Sequence, residues 1–241
     1  MMSNLEPMLT TLKRETLSDQ IAGRLRQYIT AEALQPGDAL PSETKLADLF
    51  GVSRPVVREA FRSLAAQGVV SVVSGKGAVV KPVGGELLQM FFERVVTSGH
   101  STFSELMEVR KPLEVQSAAL AAARRTAVQA AELETTVTSM RAQLTDLAAY
   151  AEADVELHLQ IAAAAHNEAL YLLISSIRTA MKELVLAGLS RRTSQEQLDQ
   201  VQQFHEEMVA AIIQGDSAGA AQAMSAHFDD ALSFVVDGEN V

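Results

Sequence analysis

From residue 86 to its end, the chain offers one kind of local signal. Apolar side chains recur three and four residues apart and alanine fills the positions between them, with no sustained two-residue alternation. Alanine is the best helix former and a poor strand former, so this stretch is confined to helices packed on helices. Trp is absent and aromatic residues make up 5% of the sequence, which suits close helix packing. Helices are predicted near 86–98, 102–124, 127–147, 149–165, 168–190, 195–214 and 217–235. The breaks fall at Ser98-Gly99, His166-Asn167 and Gly215-Asp216, and Pro112 lies inside the second helix. Asn167 reads as a helix cap. The expectation is an all-α antiparallel bundle.

The first third reads differently. Residues 17–33 carry Ile21, Leu25, Tyr28 and Ile29 at helical spacing. Gln35-Pro36-Gly37-Asp38 is a turn, and Ser42 caps a short helix with Leu46, Ala47, Leu49 and Phe50 turned inward. Gly51 ends it. Ser53 caps a further helix over 54–67, which Gly68 ends. The valine-rich VVSVVSGKGAVV that follows signals a β-hairpin around Ser74-Gly75-Lys76-Gly77. Lys81-Pro82-Val83-Gly84-Gly85 is a linker by composition. The expected fold class is therefore mainly α. A winged helix-turn-helix domain is expected over 1–80, a linker over 81–85, and an all-helical domain over 86–241.

Charge divides the same way. The formal net charge is −10, but residues 1–82 hold ten Lys and Arg against eight Asp and Glu. The acidity belongs to the rest, so the first part can approach phosphates. In a helix-turn-helix the second helix enters the major groove by its N-terminal residues. Here it begins Ser53-Arg54-Pro55-Val56-Val57-Arg58, and Arg54, Arg58 and Arg62 form one stripe beside the apolar Val57, Ala60, Phe61 and Leu64. The arginine fork suits guanine edges and phosphates. At the hairpin tip, Gly75 and Gly77 allow close approach to the DNA backbone and Lys76 adds a charge contact. A solvated basic helix beside a small hairpin is the plainer alternative.

The stretch PGDALPSETKLADLFGVSRPVVREAFRSLAAQGVVSVVSGKGAVV resembles the winged-helix domain of the GntR superfamily of bacterial transcription regulators. The motifs PGD, LPSE, LA, GVSR and VREA and a glycine-bearing wing follow in order. The resemblance implies that Arg54 and Arg58 are recognition-helix arginines and Gly75 the wing tip. Thr44 stands where some members carry an arginine, a departure that bears on DNA contact from that helix.

Three of the five histidines fall in one pattern. Asp154 and His158 are four apart and share one helix face. His205 opens the amphipathic segment FHEEMVAAIIQ, and His227 sits late in AGAAQAMSAHF. Three imidazoles and a carboxylate suit zinc, and also nickel, iron or manganese. Singly, each has an ordinary reading: Asp154 with His158 as a helix-face pair, His205 as a first-turn surface residue. Arg110 can pair bidentately with an anionic effector, or simply form a helix-surface pair with Glu114 of about 0.3–0.5 kcal/mol. His100 and His166 read as ordinary helix-end residues.

Residues 86–235 resemble the ligand-binding FCD domain of the FadR-type subfamily, through RKPLE, DVELHLQIAAAAHN and the segments around His205 and His227. The resemblance implies metal binding at Asp154, His158, His205 and His227, and recognition of a small carboxylate or sugar acid. The whole reading is a cytoplasmic, homodimeric regulator, a repressor by family tendency, that binds a pseudo-palindromic operator. No cysteine is present, which excludes disulfides and thiol catalysis. No signal peptide or membrane span is expected. The alternatives are a hydrolase-like metalloenzyme and a regulator that senses the metal itself.

Overall fold

A computed structural model describes residues 15–73, 77–98 and 103–236. The chain divides into two compact units after Gly84.

In the first unit, helix α1 (Leu17–Ala31) starts at Thr16, whose side chain and Asp19 form a capping box, and it buries Ile21, Ala22 and Leu25. Helix α2 (Glu43–Phe50) has Ser42 as N-cap and ends at Gly51. That glycine sits at φ 66°, where a Cβ is penalised. Helix α3 (Arg54–Ala66) buries Val57, Ala60, Phe61 and Leu64. The expected inward position of Leu49 is wrong, for it is 70% exposed. At 100° per residue, Leu46, Ala47 and Phe50 complete the inward face of so short a helix and leave Leu49 beside it.

Strands β1 (Val70–Val73) and β2 (Gly77–Val80) pair antiparallel, with Val70 opposite Val80 and Val73 opposite Gly77. Val70, Ala78 and Val80 point into the core built on α1–α3. A bridge from Ala39 to Val79 fastens the preceding loop to the hairpin. Lys81 N–H donates to Val69 O at 3.0 Å. Gly75 and Lys76, the expected wing tip, lie outside the described residues, as does His100.

The second unit is a bundle of α4 (Glu86–Thr97), α5 (Phe103–Arg124), α6 (Ala127–Ala142), α7 (Leu147–Ala164), α8 (Glu168–Ser190), α9 (Gln195–Gln214) and α10 (Ser217–Val236). Short turns link consecutive helices from α5 onward. α6 stops five residues before its expected end. The Asp146 side chain accepts Ala149 N–H and starts α7 there, one of the local bonds that compete with helix continuation. Asn167 caps α8 as expected, accepting Leu170 N–H.

α5, α8, α9 and α10 pack around α7 or around one another. α7 is buried along most of its length, through Tyr150, Ala151, Asp154, Leu157, His158 and Ile161. α4 packs on α8. At its start, Ser176 of α8 donates to Gly85 O at 3.2 Å, and a Cβ on Gly85 would stand 2.6 Å from the Ser176 hydroxyl.

Candidate functional site

Each central helix carries a core stripe at three- and four-residue spacing, and each stripe is interrupted by polar residues. On α5 these are Arg110 and Glu114, on α7 Asp154 and His158, on α8 Arg178, on α9 Gln202 and His205, and on α10 His227. All are buried. Packing the stripes together brings the interruptions into one polar cluster inside an apolar core, where every charge needs a partner.

Asp154, His158, His205 and His227 each offer one ligand atom, and these atoms lie within 4.8 Å of one another. Two ligands each about 2.1 Å from a shared ion are at most about 4.2 Å apart, so the set needs only slight contraction to close on a metal. His205 is no first-turn residue: α9 begins ten residues earlier, and the imidazole is fully buried.

The hydrogen bonds fix which ring nitrogens face inward. The Gln202 amide donates to Val137 O at 2.9 Å and to Glu206 Oε1 at 3.0 Å, which orients its oxygen toward Tyr150. The Tyr150 hydroxyl donates to that oxygen at 3.0 Å and so accepts from His205 Nδ1–H, also at 3.0 Å. His158 Nδ1 donates to Glu114 Oε2 at 2.5 Å, since a carboxylate only accepts. Both rings therefore turn an Nε2 lone pair toward the centre. His158 Nε2, His205 Nε2 and His227 Nδ1 are buried with no hydrogen-bond partner among the described residues. His205 Nε2 stands 3.1 Å and His158 Nε2 3.8 Å from Asp154 Oδ1, contacts close in space but off the hydrogen-bonding direction. Orphaned imidazole nitrogens around one carboxylate oxygen could hold a divalent transition metal, and the hydrogen bonds to Glu114 and Tyr150 are of the kind that orient such ligands.

Electrostatics favour neutral His158 and His227 and an ionised Asp154. Burial and the nearby Arg178 charge push His158 down to about 4, against the pull of Glu114. Burial and the neighbouring imidazoles hold His227 well below its usual range. Burial alone would raise Asp154 and Glu114, but both are held well below the carboxylate range. The Arg178 guanidinium is the main cause: its Nη1 donates to Asp154 Oδ2 at 2.9 Å and its Nε to Glu114 Oε2 at 3.0 Å. Arg110 Nε donates to Glu114 Oε1 at 2.9 Å, and its guanidinium lies 5.2 Å from the Phe228 ring centroid. Arg110 and Glu114 are 3% and 1% exposed, so the helix-surface reading of that pair is excluded. Two cations and two anions balance around the cluster.

A cavity of about 50 Å³ adjoins the cluster, walled by Arg110, Asp154, Arg178 and His227 and, farther on, by Gly188 of α8 and Arg192 just past its end. Arg178, Tyr150 and Gln202 were not among the residues expected from sequence, and Glu114 was expected only as a partner of Arg110. The signal that marks them is a polar residue inside an apolar helical stripe, as in Ile174, Ile177, Arg178 and Met181.

At the other unit, Arg54, Arg58 and Arg62 project from the exposed face of α3. Arg58 is engaged bidentately by Glu43 of α2, Nε to Oε1 at 3.0 Å and Nη2 to Oε2 at 2.7 Å. Arg54 Nη2 is 3.8 Å from the same carboxylate, and Arg62 pairs with Glu59 at 3.4 Å. Thr44 is exposed on α2. Ser53 occupies the N-cap position but makes no capping hydrogen bond, contrary to expectation. His166 is exposed and meets Gln129 Oε1 at 3.1 Å.

A helix-turn-helix with a two-stranded wing, followed by a helical domain with a buried polar cluster beside a small cavity, is the architecture of a ligand-responsive DNA-binding transcription regulator. Residues 17–80 match the family described as bacterial regulatory proteins, gntR family, and residues 105–230 match the FCD domain. The chain belongs to the GntR family of bacterial transcription regulators, with an FCD domain as its second half. It is 32% identical over 208 residues to the HTH-type transcriptional regulator LutR of Bacillus subtilis, covering 83% of this chain and 94% of that one. To the galactonate operon transcriptional repressor of Escherichia coli K12 it is 31% identical over 215 residues, covering 86% and 91%. The structure of Streptococcus agalactiae GntR superposes with a TM-score of 0.64 at 26% identity, covering 88% of this chain and 97% of that one. These relatives are transcription regulators rather than enzymes, which sets the metalloenzyme alternative aside. Among the described residues no helix is long and apolar enough to cross a membrane.

Proposed function

We propose that this chain is a repressor that binds a pseudo-palindromic operator as a homodimer. Its DNA affinity changes when a small carboxylate or sugar acid enters the FCD cavity beside a bound metal, zinc for preference. The observation that carries this reading is the trio of orphaned buried nitrogens, His158 Nε2, His205 Nε2 and His227 Nδ1, next to Asp154 and a cavity lined by arginines. Asp154, His158, His205 and His227 hold the ion, while Asp154 Oδ2 stays with Arg178. A bound divalent cation lowers the cost of admitting an anion into the bundle, and Arg110 in the wall helps to orient it. A relative named for galactonate, a sugar acid, supports that ligand class.

Residues 1–80 serve as the DNA-binding domain, 81–85 as the linker and 86–241 as the sensing and dimerising domain, all within the cytoplasm. Ser53, Arg54, Arg58 and Arg62 on the recognition helix, Thr44 before it, and Gly75 with Lys76 in the wing meet the DNA. Leu87, Leu88, Met90 and Phe91 of α4 are exposed, and they suit an apolar contact with a second copy.

The test combines elemental analysis with duplex binding. The wild type should carry one metal per chain, and the doubly substituted His205→Ala, His227→Ala protein almost none. DNA affinity of the metal-loaded wild type should respond to acids from a carboxylate panel, and the double variant should not respond. Full metal content in the double variant refutes the site. DNA affinity that tracks zinc alone, indifferent to every acid, would make the metal the signal.

A further inference from the structure

The cavity has a far end that the metal set and Arg110 do not use. Along α8 it is bordered by Arg178, Val185, Gly188 and Leu189, and just past the helix by Arg192. These positions fall near two, three and four helical turns from Arg178, so one face of α8 forms the wall. At 1.5 Å per residue, Arg178 and Arg192 start about 20 Å apart along the axis. Both residues nonetheless border one small cavity, which therefore runs along this face of α8.

Arg192 is held firmly. Nη2 donates to Asp230 Oδ2 at 2.5 Å, and the guanidinium stacks 4.0 Å from the Phe234 ring centroid. Its side chain is 4% exposed. Its Nε–H is nonetheless buried with no hydrogen-bond partner among the described residues. A buried, unpaired donor on a residue that borders the cavity calls for an acceptor, which a polar occupant can supply.

Gly188 supplies the room. A Cβ built there meets nothing within 4 Å, although the residue sits within a continuous helix where alanine is preferred. Charge points the same way. Arg110, Arg178 and Arg192 are offset by Glu114, Asp154 and Asp230, so the wall is neutral until a divalent ion adds two positive charges. A cavity of about 50 Å³ takes roughly three to five water-sized bodies, so the occupant is compact.

We propose that Arg192 and Gly188 form a distal subsite for the second oxygen group of a short two-ended acid, a hydroxy acid or diacid rather than a simple monocarboxylate. This rests on the reading above, in which the first carboxylate meets a bound metal.

Calorimetry of the zinc-loaded full chain with butyrate, 4-hydroxybutyrate and succinate tests it, since these differ only at the end away from the first carboxylate. The hydroxyl- and carboxylate-ended acids should bind about tenfold or more tightly than butyrate, the effect of one charge-assisted hydrogen bond. Arg192→Lys keeps a cation for Asp230 but removes the Nε–H, and it should abolish that preference with zinc content unchanged. Gly188→Ala favours the helix while filling the space, and it should weaken succinate binding several-fold. Equal, zinc-dependent binding of all three acids overturns the distal subsite and leaves the metal-bound carboxylate standing. So does undiminished succinate binding by both variants. Succinate binding that survives zinc removal overturns the metal-bound carboxylate itself, and binding of none of the three overturns both.

Discussion

Glu114 is the residue on which the buried cluster can be tested most severely. Its carboxylate meets Arg110 Nε at 2.9 Å, Arg178 Nε at 3.0 Å and His158 Nδ1 at 2.5 Å, with 1% of the side chain exposed. Glu114→Gln preserves shape but removes one negative charge and turns an amide donor toward donors. Arg110 and Arg178 are then balanced by Asp154 alone, leaving one uncompensated cation inside the bundle. Breaking a buried pair in this way costs about 3–5 kcal/mol. His158 also loses the acceptor that fixes its tautomer, which lowers metal affinity by about 10–100-fold. Urea unfolding of metal-free protein measures the first effect and competition with a zinc chelator the second. Glu152→Gln is the control, because its pair with Lys182 is largely exposed and screened by solvent. If the two variants unfold alike without metal, the account of a balanced buried cluster is wrong.

The remaining predictions concern acid, the outer contacts and DNA. In metal-free protein, folded His158 stays neutral down to about pH 4 while the unfolded chain takes up that proton near 6.5. Its contribution is therefore complete above about pH 6.5 and is lost as pH falls toward 4, on the order of 3 kcal/mol. Equal urea midpoints at pH 7 and pH 4.5 would contradict this. Tyr150→Phe removes the hydroxyl that orients His205 and leaves Gln202 Oε1 unpaired, at about 1–3 kcal/mol and about a tenfold loss of zinc affinity; unchanged zinc competition would make Tyr150 a packing residue only. Arg58→Ala should weaken binding to a duplex selected from a random pool by about 1–3 kcal/mol. Glu43→Gln, which releases the Arg58 fork, should strengthen low-salt binding to unselected duplex; if neither substitution changes affinity in a mobility-shift assay, α3 does not read DNA.

The helices and hairpin were legible because their signals are local. Caps at Ser42 and Asn167, glycine ends at Gly51 and Gly215, and apolar periodicity each act within a few residues. The four candidate ligands were legible because histidine is rare in this chain and stands out. Arg178 and Glu114 were harder to see, since arginine and glutamate are usual on helix surfaces. Their role depends on five helices meeting at one level, which no single stretch of sequence records. The burial of His205 had the same obscurity: the segment FHEEMV looks like a helix start until Leu198 and Val201 extend the stripe backward. The pairing of Arg58 with Glu43 depends on how α2 packs against α3, in a core that includes Leu46, Ala47 and Phe61 and that no single stretch of sequence records.

The seating of Gly85 determines how long a leash the reading head has. Lys81 is tied by its backbone to Val69 at one end, and Gly85 is held by Ser176 at the other. Only Pro82, Val83 and Gly84 lie between them, so the two anchor points can separate by no more than about 14 Å. In a dimer, capture of one operator half-site makes the second an intramolecular event at high effective concentration. With so short a tether that gain disappears once the half-sites are spaced beyond its reach. In the proposed homodimer, the spacing between half-sites, as much as their bases, would then be part of what is read.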